Sequence, residues 1–420
     1  MLKVSRMRRV YMLLKLKDKK GNMAVNKLFI RIVAVIFCLL GMHIEASEQD
    51  VQFHGFAAQG MIDVNGSDFV NDDGSLSPKL TELGINGSYQ LNTNFRLAGQ
   101  IVYLNGGNRY AEGVRVDYAL LDWTAYESPN WRANIYLGRF KNNHWLYSSS
   151  RDIPFARPSI ILPQSIYFDG FRDISVGADG FAFKISHNND DYGNFDFNFS
   201  HGANQISDKQ AEIILGKLAK GTLKQDFETQ GSLYWQPSFS PWRFGASYLE
   251  SDFSYQGNEH ADRFFDGSFS FQTFSMNALY EGENWEFSGE TQQTISITDD
   301  FYEPFSFRET IGQRVYVQSR YKVSNELTLL ARYEHYYSDK NDKQGEKLEK
   351  ATGGSIPAYF AYHRDTTFGL SYDFSSNLRL RFEYHWLQGT ARLTPVVLPN
   401  PEINDSEYWR IWAIQLMYWF

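Results

Sequence analysis

Between Lys141 and Asp173 the chain gathers Lys141, Arg151, Arg157 and Arg172 with Asp152, Asp169 and Asp173. Trp145, Tyr147, Phe155 and Tyr167 are interleaved with them. Two chemistries fit each set. A planar guanidinium can receive an anion, or it can bridge carboxylates and carbonyls and so hold a loop in shape. An aromatic ring can stack on a sugar or pack against a wall. Pro154, Pro158 and Pro163 lack backbone donors, which rules out a central strand. A connection this long is usually functional or disordered. Ile160, Ile161 and the rings argue for order, because disordered segments are poor in such residues.

Catalytic and metal constellations are missing. His201, in "FSHGAN", is followed two residues on by Ala203 rather than a serine, and is read as a strand-end histidine. No HExxH occurs, and no Gly-rich loop joins a strand to a helix. "NDDGS" and "NNDDYG" carry oxygen ligands, but Asx-Gly pairs are ordinary turn chemistry. No catalytic residue, metal set or cofactor is assigned, and the chain is read as a non-enzyme.

Residues 1–46 read as an export segment. Lys27 and Arg31 precede "IVAVIFCLLGM", an apolar run too short to span a bilayer as a helix. Cleavage is expected after Ala46, and Met23 is the expected start. The single cysteine, Cys38, lies in this segment, so residues 47–420 offer no thiol chemistry. Ten of 41 basic and two of 49 acidic residues fall there, which leaves 31 against 47 and a net charge of −16. Such a chain is a poor partner for nucleic acid.

The elements that carry these residues repeat with a period of two. Phe195, Phe197 and Phe199 oppose Asp196, Asn198 and Ser200; Trp242, Phe244, Ala246 and Tyr248 oppose Arg243, Gly245 and Ser247. Leu378, Leu380, Phe382, Tyr384 and Trp386 oppose Arg379, Arg381, Glu383 and His385. The last strand puts Trp412, Ile414, Leu416, Tyr418 and Phe420 on one face. A face so apolar suits lipid better than water. Short turns, such as "LNTN" and "ESPN", alternate with long polar connections. Seven turns and eight loops make an all-β, transmembrane antiparallel barrel of about sixteen strands, read as one domain over 47–420. Eighteen is the rival count, if "EIILGKLA" and "IPAYFAY" add strands. "RVDYALLDWTAY" is expected to hide a bulge.

The opening strand "VQFHGFAAQG", a fifth strand ending "YLGRF" before the long third connection, and the terminal Phe420 together resemble the Gram-negative outer-membrane porins. The resemblance implies an outer-membrane channel for passive diffusion, with residues 140–173 folded into the lumen as its constriction. It also implies that the barrel-assembly machinery reads Phe420, and that three copies associate in outer-membrane lipid.

Parity then places Arg96, Arg132, Lys184, Arg243, Arg314, Arg320, Arg332, Arg379 and Arg381 inward, with Glu82, Asp196, Glu286, Glu290, Glu334 and Glu383. This excess of inward arginine suggests a preference for anions among small hydrophilic solutes. An oligosaccharide channel using the loop's rings is the alternative. A soluble β-sandwich or an outer-membrane hydrolase is the remoter one.

Overall fold

The computed structural model describes residues 51–71, 76–258, 262–397 and 400–420. The expected export segment lies outside them. Sixteen strands are present: β1 (Val51–Asn65), β2 (Thr81–Gln90), β3 (Phe95–Asn105), β4 (Gly113–Glu127), β5 (Trp131–Lys141), β6 (Gly177–Asn189), β7 (Gly193–Ala203), β8 (Thr222–Gln236), β9 (Trp242–Gln256), β10 (Gly267–Glu281), β11 (Trp285–Asp299), β12 (Phe307–Lys322), β13 (Leu327–Tyr337), β14 (Tyr362–Ser375), β15 (Leu378–Gln388) and β16 (Tyr408–Trp419). They form one closed antiparallel barrel in chain order. Closure joins β1 to β16, with Gly60 opposite Gln415, and leaves no free edge. Phe420 completes the seam: its N–H donates to Gly55 O, and its O accepts from Gly55 N–H, at 3.0 and 3.1 Å.

The two doubtful stretches are not strands. Residues Asp208–Leu215 of "EIILGKLA" and its lead-in form a helix, because Ser207 caps it by accepting from Gln210 N–H and Gly216, at φ +91°, ends it. "IPAYFAY" makes a 3₁₀ turn, Ala358–Ala361, before β14 begins. β4 carries two irregularities, against β3 at Gln100/Ile101 and against β5 at Thr124/Tyr126. Gly138, in "YLGRF", has φ +115°, and a Cβ there would sit 2.5 Å from Ala119 O, so β5 needs glycine at this crossing.

The outer face is apolar over the middle of the barrel, with Leu137, Leu233, Phe274 and Leu416 all exposed. Aromatic rings gather at the short-turn end. Trp285 lies 4.5 Å from Tyr321, and Trp242 lies 5.0 Å from Tyr280. On a closed sheet this is the dress of a lipid-facing wall with an interfacial girdle. Packing inside is uneven. At the long-loop end apolar clusters join loops to wall: Ile160 and Ile161 pack with Ile62, Leu387 and Trp409, and Ile174 and Ile214 pack with Phe253 and Phe301.

Candidate channel constriction

The third long connection runs from residue 142 to 176 between β5 and β6. It crosses the barrel interior and is held from several sides. Arg157 forms a two-pronged pair with Glu82 of β2, at 3.1 and 2.7 Å, and both side chains are almost fully buried. Glu383 of β15 accepts from the backbone N–H groups of Ile160 and Ile161. Arg381, also on β15, donates to Pro154 O at 2.9 Å and Arg157 O at 2.6 Å. Arg332 of β13 donates to Ser159 Oγ and Ile161 O. Arg379 reaches Phe155 O at 3.3 Å while pairing with Asp373.

The opposite wall anchors the loop's other arm. Leu146 N–H donates to Glu290 at 3.1 Å, and the Tyr167 hydroxyl donates to the same carboxylate. Ser165 N–H donates to Glu334 at 2.6 Å. Trp145 Nε1 donates to Ser275 Oγ at 3.1 Å. The loop's carboxylates close on its own and neighbouring cations. Asp152 pairs with Lys141 and Arg172, Asp169 with Arg151 and Arg109, and Asp173 with Arg115. Burial alone raises the pKa of Asp152 and Asp169. Arg172 and Lys141 at Asp152, and Arg109, Arg151 and Arg172 at Asp169, outweigh it and hold both below the usual carboxylate value.

The rings of the loop are engaged in the same way. Tyr167 is fully buried, and Trp145 packs edge-on against it at 5.7 Å. Phe155 stacks on Trp419 of the wall at 4.9 Å, and the Tyr147 N–H donates to the Tyr167 hydroxyl.

The predicted wall residues therefore fall into groups. Arg332, Arg381 and Glu383 are buried and grip the loop. Arg96, Arg132, Arg320 and Arg379 lie toward the short turns. There Arg96 pairs with Asp122 at 2.8 Å and Arg320 with Glu286 at 2.6 Å, while Arg132 is exposed and donates to its neighbour Asn134 at 3.1 Å. Arg314 belongs to neither group: it donates to Thr294 Oγ1 and lies 5.6 Å from the Tyr336 ring. Arg109, Arg115 and Arg392 also serve the site but come from or beside other long loops. Nothing in the sequence singled them out: Arg109 and Arg392 lie in long connections and Arg115 near the start of β4.

No family model and no curated protein sequence matches the chain. Solved structures do. OmpT of Vibrio cholerae, an outer-membrane protein, aligns with a TM-score of 0.54 and 14% identity over 88% of this chain and 97% of its own. The anion-selective porin from Comamonas acidovorans gives 0.53 and 12% over 88% and 99%. OprB of Pseudomonas putida gives 0.56 and 11% over 91% and 97%. The chain has the outer-membrane porin fold. A closed porin barrel with this lipid-facing wall points to the outer membrane of a Gram-negative cell.

Proposed function

We propose that the chain is a passive, non-catalytic outer-membrane channel for small hydrophilic solutes and ions, narrowed by its third long loop. The observation that carries this reading is the division of the interior. A loop is clamped across the barrel by buried wall charges, while Arg96, Arg132, Asp196 and Arg320, near the short turns, are presented to water. In this reading Arg151, Asp152, Arg157, Asp169 and Arg172 hold the loop rather than touch the solute, since all are buried and paired. Lys141 and Asp173, partly exposed, are its nearest approach to water.

A mild anion preference follows from Arg132 and Arg243. Neither has an ion-pair partner among the described residues; Arg243 lies 4.7 Å from the Tyr234 ring. The reading includes a homotrimer. One OmpT structure is titled a trimer form, and the outer wall of β2–β5 is unusually aliphatic, with Ile85, Leu97, Ile101 and Leu137 exposed. Phe420 is proposed as the signal for barrel assembly. Planar-bilayer recording in a salt gradient tests the reading. Stepwise conductance with a reversal potential favouring anions supports it. No conductance from folded protein removes the channel, and cation preference removes the anion preference.

A further inference from the structure

A cavity lies inside the long-loop half of the barrel, between the third loop, the helix Asp208–Leu215, residues 392–397 and the wall of β8–β13. Its volume is about 380 Å³, within the range of small-molecule sites. Its lining has two characters. Phe171, Phe253 and Phe271 make one part apolar, with Phe171 and Phe271 rings 5.6 Å apart. Arg314 and Arg392 make the other part cationic. Both guanidiniums lie against the same Tyr336 ring, at 5.6 and 3.6 Å from its centroid.

Among the described residues, these two arginines differ from the paired loop arginines Arg151, Arg157 and Arg172 in having no carboxylate within ion-pair distance. Arg392 is 3% exposed, and among the described residues neither it nor Arg314 has an ion-pair partner. Arg314 donates to Thr294 Oγ1, and Arg392 donates to Ser165 O at 3.2 Å. The Nε of each is buried and finds no acceptor. Among the described residues the one carboxylate on the lining, Glu228, already accepts from Asn142 and Gln225. Arg392 is buried and Arg314 half-buried, and each keeps an Nε donor unsatisfied with no carboxylate in ion-pair contact among the described residues. A ligand carboxylate would satisfy them with charge-assisted bonds.

We propose that this chamber binds organic anions that join a carboxylate to an apolar body, such as aryl or short-chain alkyl carboxylates. The carboxylate meets Arg314 and Arg392, and the body lies on the phenylalanine side. Binding of this kind does not depend on conduction, so it is measured on folded, detergent-solubilised protein. Trp145 lines the same chamber and serves as the fluorescent reporter.

The experiment titrates phenylacetate, phenylacetamide and acetate into wild type, R314Q, R392Q and F271A, each first checked for heat-modifiable migration. Phenylacetate is expected to saturate. Phenylacetamide, R314Q and R392Q each lose one or more charge-assisted bonds and should weaken binding roughly tenfold or more. Acetate should bind weakly, and F271A should weaken phenylacetate but not acetate. R314K retains the cation and should keep most of the affinity, which separates charge from folding. Equal binding of phenylacetate and phenylacetamide, equal binding of acetate, or unchanged affinity in a folded R314Q overturns the proposal.

Discussion

Arg381 and Arg132 both point inward from the barrel wall. Arg381 is 1% exposed and donates to two carbonyls of the third loop, whereas Arg132 is exposed and touches its own neighbour, Asn134. The same side chain on the same face of the same kind of strand thus has two jobs. Burial decides which. Where the third loop covers the wall water is excluded, so a charge must be hydrogen-bonded, and it becomes a fastener. At the short-turn end water remains, a surface pair is worth little to stability, and the charge is left to act on passing ions.

The sharpest way to break this contrast is Arg157→Ala. It strands Glu82 without its partner, and removing one member of a buried pair costs about 3–5 kcal/mol. The third loop should loosen, seen as new protease cleavage within 142–176. Arg132→Ala should leave cleavage unchanged. A different arm compares the inside with the outside. Phe274 is exposed on the lipid-facing wall, and Phe274→Arg should destabilise the barrel by about 2–4 kcal/mol if it sits near the bilayer midplane, measured by denaturant unfolding in lipid. A drop below the scatter of wild type would place that face against water instead.

Acidification gives a graded version. The loop carboxylates Asp152 and Asp169 are held below their ordinary range by their arginines and, for Asp152, Lys141. For a depressed carboxylate the stabilisation is complete above the unfolded value, about 3.9, and is lost as pH falls through the folded one. The contribution of Asp152 and Asp169 to current noise should therefore appear only below about pH 4, close to the unfolded value. Noise that grows between pH 8 and 6 would implicate other groups. The smallest effect belongs to Arg132→Gln, which should shift the reversal potential toward cations with conductance nearly unchanged.

Much of the barrel was legible because lipid and water impose a strict period of two. Phe195, Phe197 and Phe199 face out and Asp196, Asn198 and Ser200 face in, as alternation requires. The third loop was legible as ordered, because prolines and buried-type residues share it. Its fastenings were not. Glu82 lies 75 residues from Arg157, and Glu383 lies 223 from Ile160, so nothing local pairs them. Spacing also could not tell a fastening arginine from a filtering one, since both occupy inward positions. The Asp208–Leu215 helix was ambiguous because a short apolar run fits a helix or a strand equally well.

The most direct test is single-channel conductance of the wild type beside Arg157→Ala, recorded under identical salt. Expected are regular steps from the wild type and larger, noisier steps of the same ion preference from the variant. Identical steps from the two proteins would contradict a third loop that is clamped by Arg157 and narrows the channel.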